Sequence, residues 1–134
     1  MNASLALQAA IRDRLLAHAP LTALIGADRV FDHVPQGTAE PYVVFAEIET
    51  RDWSTQTHDG HEHFVTLHAW TRARGRKGTL DIVNEIDAAL DGAALTPTDH
   101  RIVSLRTNFW TAAAAKDGER YRGVVRLRAT TEPN

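Results

Sequence analysis

Four of the seven histidines, His58, His61, His63 and His68, fall within eleven positions, a density that makes metal coordination the first chemistry to test. On an extended strand His61 and His63 share a face, two residues apart, whereas His68 has the opposite parity and points away. At most two or three imidazoles can then converge, and Asp59 and Glu62 stand beside them without any zinc spacing. The expected role is a solvated loop and strand end. A metal-dependent hydrolase built on His58, His61 and His63 is the enzyme-class alternative, and His68 reads as a hydrogen-bonded sheet residue rather than a base.

The other chemical motifs fail on spacing. Gly75-Arg76-Lys77-Gly78 precedes a helix but fits neither phosphate-loop pattern, so it reads as a basic turn. Serines stand only at 4, 54 and 104, none in a nucleophile elbow. Asp117 and Glu119 are hairpin-loop carboxylates, which solvent keeps ordinary. With no cysteine, thiol nucleophiles, zinc–thiolate sites and iron–sulfur clusters are excluded, although the compartment is not fixed by that absence. The expectation is a protein that is not an enzyme, with no cofactor and no metal.

A basic stripe is more informative. Arg120, Arg122, Arg126 and Arg128 share the even parity of one strand with Val124 among them, while Tyr121, Val125 and Leu127 turn inward. Cross-strand pairing with Glu47 and Glu49 is the expected structural use, and a protein partner or a DNA-facing surface is the functional one. Trp53, Trp70 and Trp110 are each expected at a strand end, as core caps or interface anchors, with core capping favoured for Trp70.

These residues need elements to hold them. Leu7, Ile11 and Leu15 recur at helical spacing over 4–17, and Ile82, Val83, Ile86, Ala89 and Leu90 form one arc of a second helix ended by Gly92. That helix begins either at Thr79, as an N-cap, or already within 76–78. Pro20 opens a short apolar turn over 21–25, closed by Gly26. Strands are expected over 42–53, with Ile48 opposed to Glu47 and Glu49, over 61–70, with Val65, Leu67 and Ala69 on one face, over 100–110, with Val103 and Leu105 sharing a face, and over 121–129. The order α-β-β-α-β-β, with one apolar face per element, predicts an α+β two-layer sandwich: a four-stranded antiparallel sheet with its helices on one face.

Composition bounds this reading. The chain has 134 residues, 43% hydrophobic and 24% charged, and should bury about two thirds of its unfolded surface, enough for one core. No repeat or linker divides it, so residues 1–134 read as one domain with a polar tail over 132–134. Fifteen Lys plus Arg against 17 Asp plus Glu give a net charge of -2, which argues against binding nucleic acid by overall charge. No secretion signal or membrane span is visible, and no membrane partner is expected.

The chain resembles the tail terminator, or tail completion, proteins of long-tailed phages and phage-like particles. The resemblance covers about residues 5–131 and rests on Arg29-Val30 through Val34-Pro35, Pro41-Tyr42-Val43, Trp53, His68-Ala69-Trp70 with the run to Gly78, and the two final strand segments, taken in order. It implies a homo-oligomer, a hexameric ring at the head-proximal end of the tail tube, contacting the tail tube protein and the head–tail connector or stopper protein. DNA would pass through its channel without sequence-specific binding. The subunit would be made in the host cytoplasm and reside in the virion or phage-like particle, with no catalytic residues to carry over. A ring requires head-to-tail contacts between unlike patches. The expected interface residues are Arg51, Asp52, Trp53, Thr55 and His58 at one loop, and Lys116, Asp117, Arg120, Arg122, Arg126 and Arg128 at and beyond the 111–120 loop. Both loops are expected to order on assembly. A small monomeric binding module using the arginine stripe is the alternative.

Overall fold

A computed structural model describes residues 2–72 and 75–134. Met1, and the Ala73-Arg74 step of the basic run, lie outside the described residues. Helix α1 spans Ala3–Ala17, with the Asn2 side chain accepting from the backbone N–H groups of Ser4 and Leu5, and it buries Leu7, Ile11 and Leu15. The apolar turn after Pro20 is a third helix, α2 (Ala19–Ile25), for which proline at the N-terminus is suited because that N–H needs no partner. Helix α3 (Lys77–Leu90) begins ahead of Thr79, which is buried and hydrogen-bonded to Thr71 at 2.8 Å rather than capping.

The sheet has five strands: β1 (Val30–Phe31), β2 (Tyr42–Asp52), β3 (His61–Thr71), β4 (His100–Ala114) and β5 (Tyr121–Pro133), in the spatial order β1-β2-β3-β5-β4. It is mixed rather than purely antiparallel, because β1 pairs parallel to β2 through Val30–Val43 and Phe31–Val44. A two-residue strand has no periodicity to read, so sequence alone yields four strands and two helices. The element order is therefore α-α-β-β-β-α-β-β.

Two bulge regions reset the pattern of faces. In β2, Ala46 is unpaired between Phe45–Leu67 and Glu47–Thr66, so the core positions move from odd (Val43, Phe45) to even (Ile48, Thr50). In β4, Val103 and Asn108 are both skipped. Val103 is consequently 50% exposed and does not share the core face of Leu105, contrary to the simple alternation. Strands β3 and β5 are regular, and their odd positions Val65, Leu67, Ala69, Val125, Leu127 and Ala129 join the helix residues in one buried cluster. Helix α3 sits directly over Gly123, where an added Cβ would lie 2.6 Å from the Val83 Cγ2. Among the described residues no helix is long and apolar enough to cross a membrane.

Candidate functional site

With the helices on one side, the even positions of β3 and β5 are left on the uncovered side of the sheet. The arginine stripe is there, but its expected acidic partners are not beside it. Strand β3 lies between β5 and β2, so Glu47 faces Thr66 and Thr66 faces Arg126. Glu49 instead takes Arg51 of its own strand at 2.7 Å. The stripe divides by local partner: Arg128 meets Glu62 at 2.6 Å, Arg126 lies over the Phe109 ring at 4.7 Å, and Arg122 and Arg120 lie over Trp70 at 5.9 and 4.4 Å.

Trp70 is therefore no core cap. It stands on the uncovered face, edge-on to His68 with ring centroids 6.3 Å apart. That contact replaces the hydrogen bond expected of His68. Burial, and then the nearby Arg122 and Arg126, hold the His68 pKa below its ordinary value and so favour the neutral ring.

The two loops expected to form interfaces lie at opposite ends of the sheet. Residues 53–60 join β2 to β3 next to the start of β4 and the end of β5, whereas 115–120 join β4 to β5 beside Trp70 and Thr71. Eleven residues of β3 separate them, roughly 35 Å. The first tip is tied internally. Asp52 accepts from the Ser54 hydroxyl at 2.6 Å, which holds its carboxyl below the usual range. Thr55 donates its backbone N–H to His58 O at 2.7 Å and accepts the His58 N–H on its hydroxyl at 3.1 Å. Trp53 is 44% exposed at its side. Arg101, paired with Glu132, walls a groove there with His58 and Asp59.

The second tip is shorter than expected, because Ala112, Ala113 and Ala114 pair with Gly123, Arg122 and Tyr121 and so belong to β4 rather than to a loop. Trp110 accordingly lies within the strand and not at its end. Asp117 accepts from the Arg120 side chain at 2.8 Å and from the backbone N–H groups of Glu119 and Arg120, and these bonds pull its pKa down to about 2. Lys116, exposed, completes the rim of a groove floored by Trp70 and Arg122. Sequence reasoning missed Glu40, which draws Arg72 (3.3 Å) and Arg120 (3.6 Å) together beneath this tip. A lone glutamate in a Pro/Gly-rich connection carries no signal of that role.

The histidines do not converge on a metal. His63 is fully buried instead of solvated, with Nδ1 2.8 Å from the Thr50 hydroxyl and Nε2 2.8 Å from that of Thr131. Both ring nitrogens are engaged, while His58 bonds Thr57 at the loop tip. Among the described residues no group of three or more His, Cys, Asp or Glu side chains is arranged to hold a metal ion. Lys77, from the basic turn, is the first residue of α3 and pairs with Asp81 at 2.9 Å.

Comparison with known proteins matches residues 9–132 to the family described as tail completion protein gp17. A chain from the virion of a native gene transfer agent particle is 31% identical, with 98% of this chain and 99% of that one covered and a TM-score of 0.89. A second solved structure, 12% identical over 96% of this chain and 94% of its own, has a TM-score of 0.53 and shares the fold alone. No curated protein matches the chain.

Proposed function

The chain belongs to the tail completion protein gp17 family, and from that premise we propose that it is a ring-forming tail terminator. It is a structural tail protein, placed in a phage or phage-like particle by its family and by its likeness to a gene transfer agent virion chain. In this reading several copies close a ring on the head-proximal end of the tail tube. The ring stops addition of tube subunits and offers its other side to the connector or stopper of the head. DNA crosses the channel without sequence-specific contacts. The subunit does no chemistry.

The observation that carries the reading is the near-complete match to a virion chain at both the fold and the sequence level. The placement of the two hairpin tips agrees with it. A subunit bridging tube and connector needs two unlike contact surfaces at opposite ends, and residues 53–60 and 115–120 occupy the two ends of one rigid sheet. Arg51, Asp52, Trp53, Thr55 and His58 then serve one axial partner, and Lys116, Asp117, Arg120 and Arg122 the other. Electron microscopy of particles lacking the chain tests the role. Overlong or polydisperse tails, or tails detached from heads, are expected, and normal tails joined to heads would refute it.

A further inference from the structure

Both edges of the sheet are open over most of their length, and they differ in character. On one side β1 covers only Val43 and Val44, so no strand lies outside β2 from Ala46 to Asp52 among the described residues. This stretch carries Glu47, Glu49 and Asp52 against one Arg51, and Glu47 has no ion-pair partner among the described residues. On the other side no strand lies outside β4 among the described residues; the turn after α3 covers its middle, where Gly92 N–H bonds Leu105 O at 2.8 Å and Asp91 accepts from Thr107 N–H at 3.0 Å, and the edge is open beyond Thr107. Its Arg101 and Arg106 are paired with Glu132 and Asp91, whereas Arg126, which has no carboxylate partner among the described residues, leans toward this edge over Phe109.

The β4 side is also the apolar one. Of the seven large hydrophobic side chains left exposed among the described residues, Leu80, Val103, Phe109 and Trp110 all lie on β4 or the adjoining face of α3. That concentration marks a contact surface rather than scattered exposure. Trp110 is 55% exposed and walls a groove of about 260 Å³ with Leu80, Val83, Asn84 and Asp87.

We propose that the apolar β4 edge beyond Thr107, with Arg126 beside Phe109, docks against the acidic β2 edge of a second copy of this chain. The contact is head-to-tail, and it rests on the ring reading above. Strand directions allow it. Within the sheet β2 and β5 run one way and β3 and β4 the other. A rotation about an axis along the strands therefore sets β4 of one copy antiparallel to β2 of the next, the orientation that strand addition favours. Repetition around a ring leaves no edge open, which is how a closed assembly removes the hazard of two free strand edges.

The chain has no cysteine, so introduced cysteines report this contact alone. Positions 109 and 47 lie on strands separated by β3 and β5, about 14 Å apart in one chain, beyond the roughly 7 Å that a disulfide spans. Any disulfide between them joins two copies. Particles assembled with Phe109→Cys paired with Glu47→Cys, Glu49→Cys or Arg51→Cys, then oxidised, should give a covalent ladder from at least one register, and each single variant should give none. Assembled particles with no ladder from any pair would overturn the contact and leave the ring role standing.

A charge exchange gives an independent readout if a cysteine variant does not assemble. Glu47→Arg should reduce the yield of joined particles by about tenfold, and adding Arg126→Glu to the same chain should restore most of it. A folded double-exchange protein that restores nothing would also overturn the contact. Normal tails in particles lacking the wild-type chain would instead refute the ring role, so the two failures are distinguishable.

Discussion

Acid should unfold this protein through His63 before most of its carboxylates are protonated. The ring is fully buried between the hydroxyls of Thr50 and Thr131, and Thr50 is in turn bonded to Ser4 of α1 at 2.6 Å. One neutral imidazole thus ties β2, β3 and β5 to the first helix. Burial, reinforced by the charges of His61 and His100, lowers its pKa from 6.5 to about 4. The unfolded chain takes up this proton near pH 6.5 and the folded chain only near pH 4. Between those values the unfolded state binds more protons, so stability is complete above pH 6.5 and falls as pH falls toward 4. The gap corresponds to about 3 kcal/mol, a large share of the ~5–15 kcal/mol typical of a domain.

The assay is urea unfolding, followed by circular dichroism at pH 7.5 and pH 4.5, of the wild type and His63→Val. The variant should be weaker at pH 7.5, because the Thr131 hydroxyl loses its partner at a cost of about 1–3 kcal/mol. It should lose about 2–3 kcal/mol less than the wild type on acidification. Asp52, Asp91 and Asp117 also have lowered pKa values and add acid sensitivity, but equally to both proteins. Equal acid losses in the two proteins, or a His63 ring proton titrating near 6.5 in the folded state by NMR, would refute the reasoning.

Other substitutions separate packing from surface function. Gly123→Ala forces a methyl group against Val83 and Thr79 and should cost about 1–3 kcal/mol in thermal or urea unfolding. Leu127→Ala, fully buried, should cost about 2–5 kcal/mol by the same measurement. Arg128→Ala breaks the half-exposed pair with Glu62 and should change stability by no more than about 1 kcal/mol. Trp110→Ala should leave stability within about 0.5 kcal/mol while lowering the yield of joined particles.

What was legible in the sequence is what is local. Leu7, Ile11 and Leu15 mark α1 because their spacing is intrinsic to a helix, and Val65, Leu67 and Ala69 mark β3 because that strand has no bulge. Where a bulge intervenes, alternation misleads: Val103 and Leu105 have the same parity and opposite fates. The apolar run Tyr42 to Phe45 followed by alternating residues was the trace of the Ala46 bulge, visible but ambiguous with a strand buried on both faces. Partners distant in sequence were not legible at all. His63 is sealed by Thr50 and Thr131, 13 and 68 residues away, and the pairing of Arg128 with Glu62 depends on β3 and β5 being neighbours.

The same non-local placement decides where the polar groups go. Many are joined in pairs across elements: Thr71 with Thr79, His18 with Glu85, and Glu40 with Arg72 and Arg120. Such pairs tie α3, the 40–41 connection and the β4–β5 turn to their neighbours. The same holds for the charges of the sheet: Arg101, Arg106 and Arg128 meet Glu132, Asp91 and Glu62, so these arginines are answered by carboxylates from other elements.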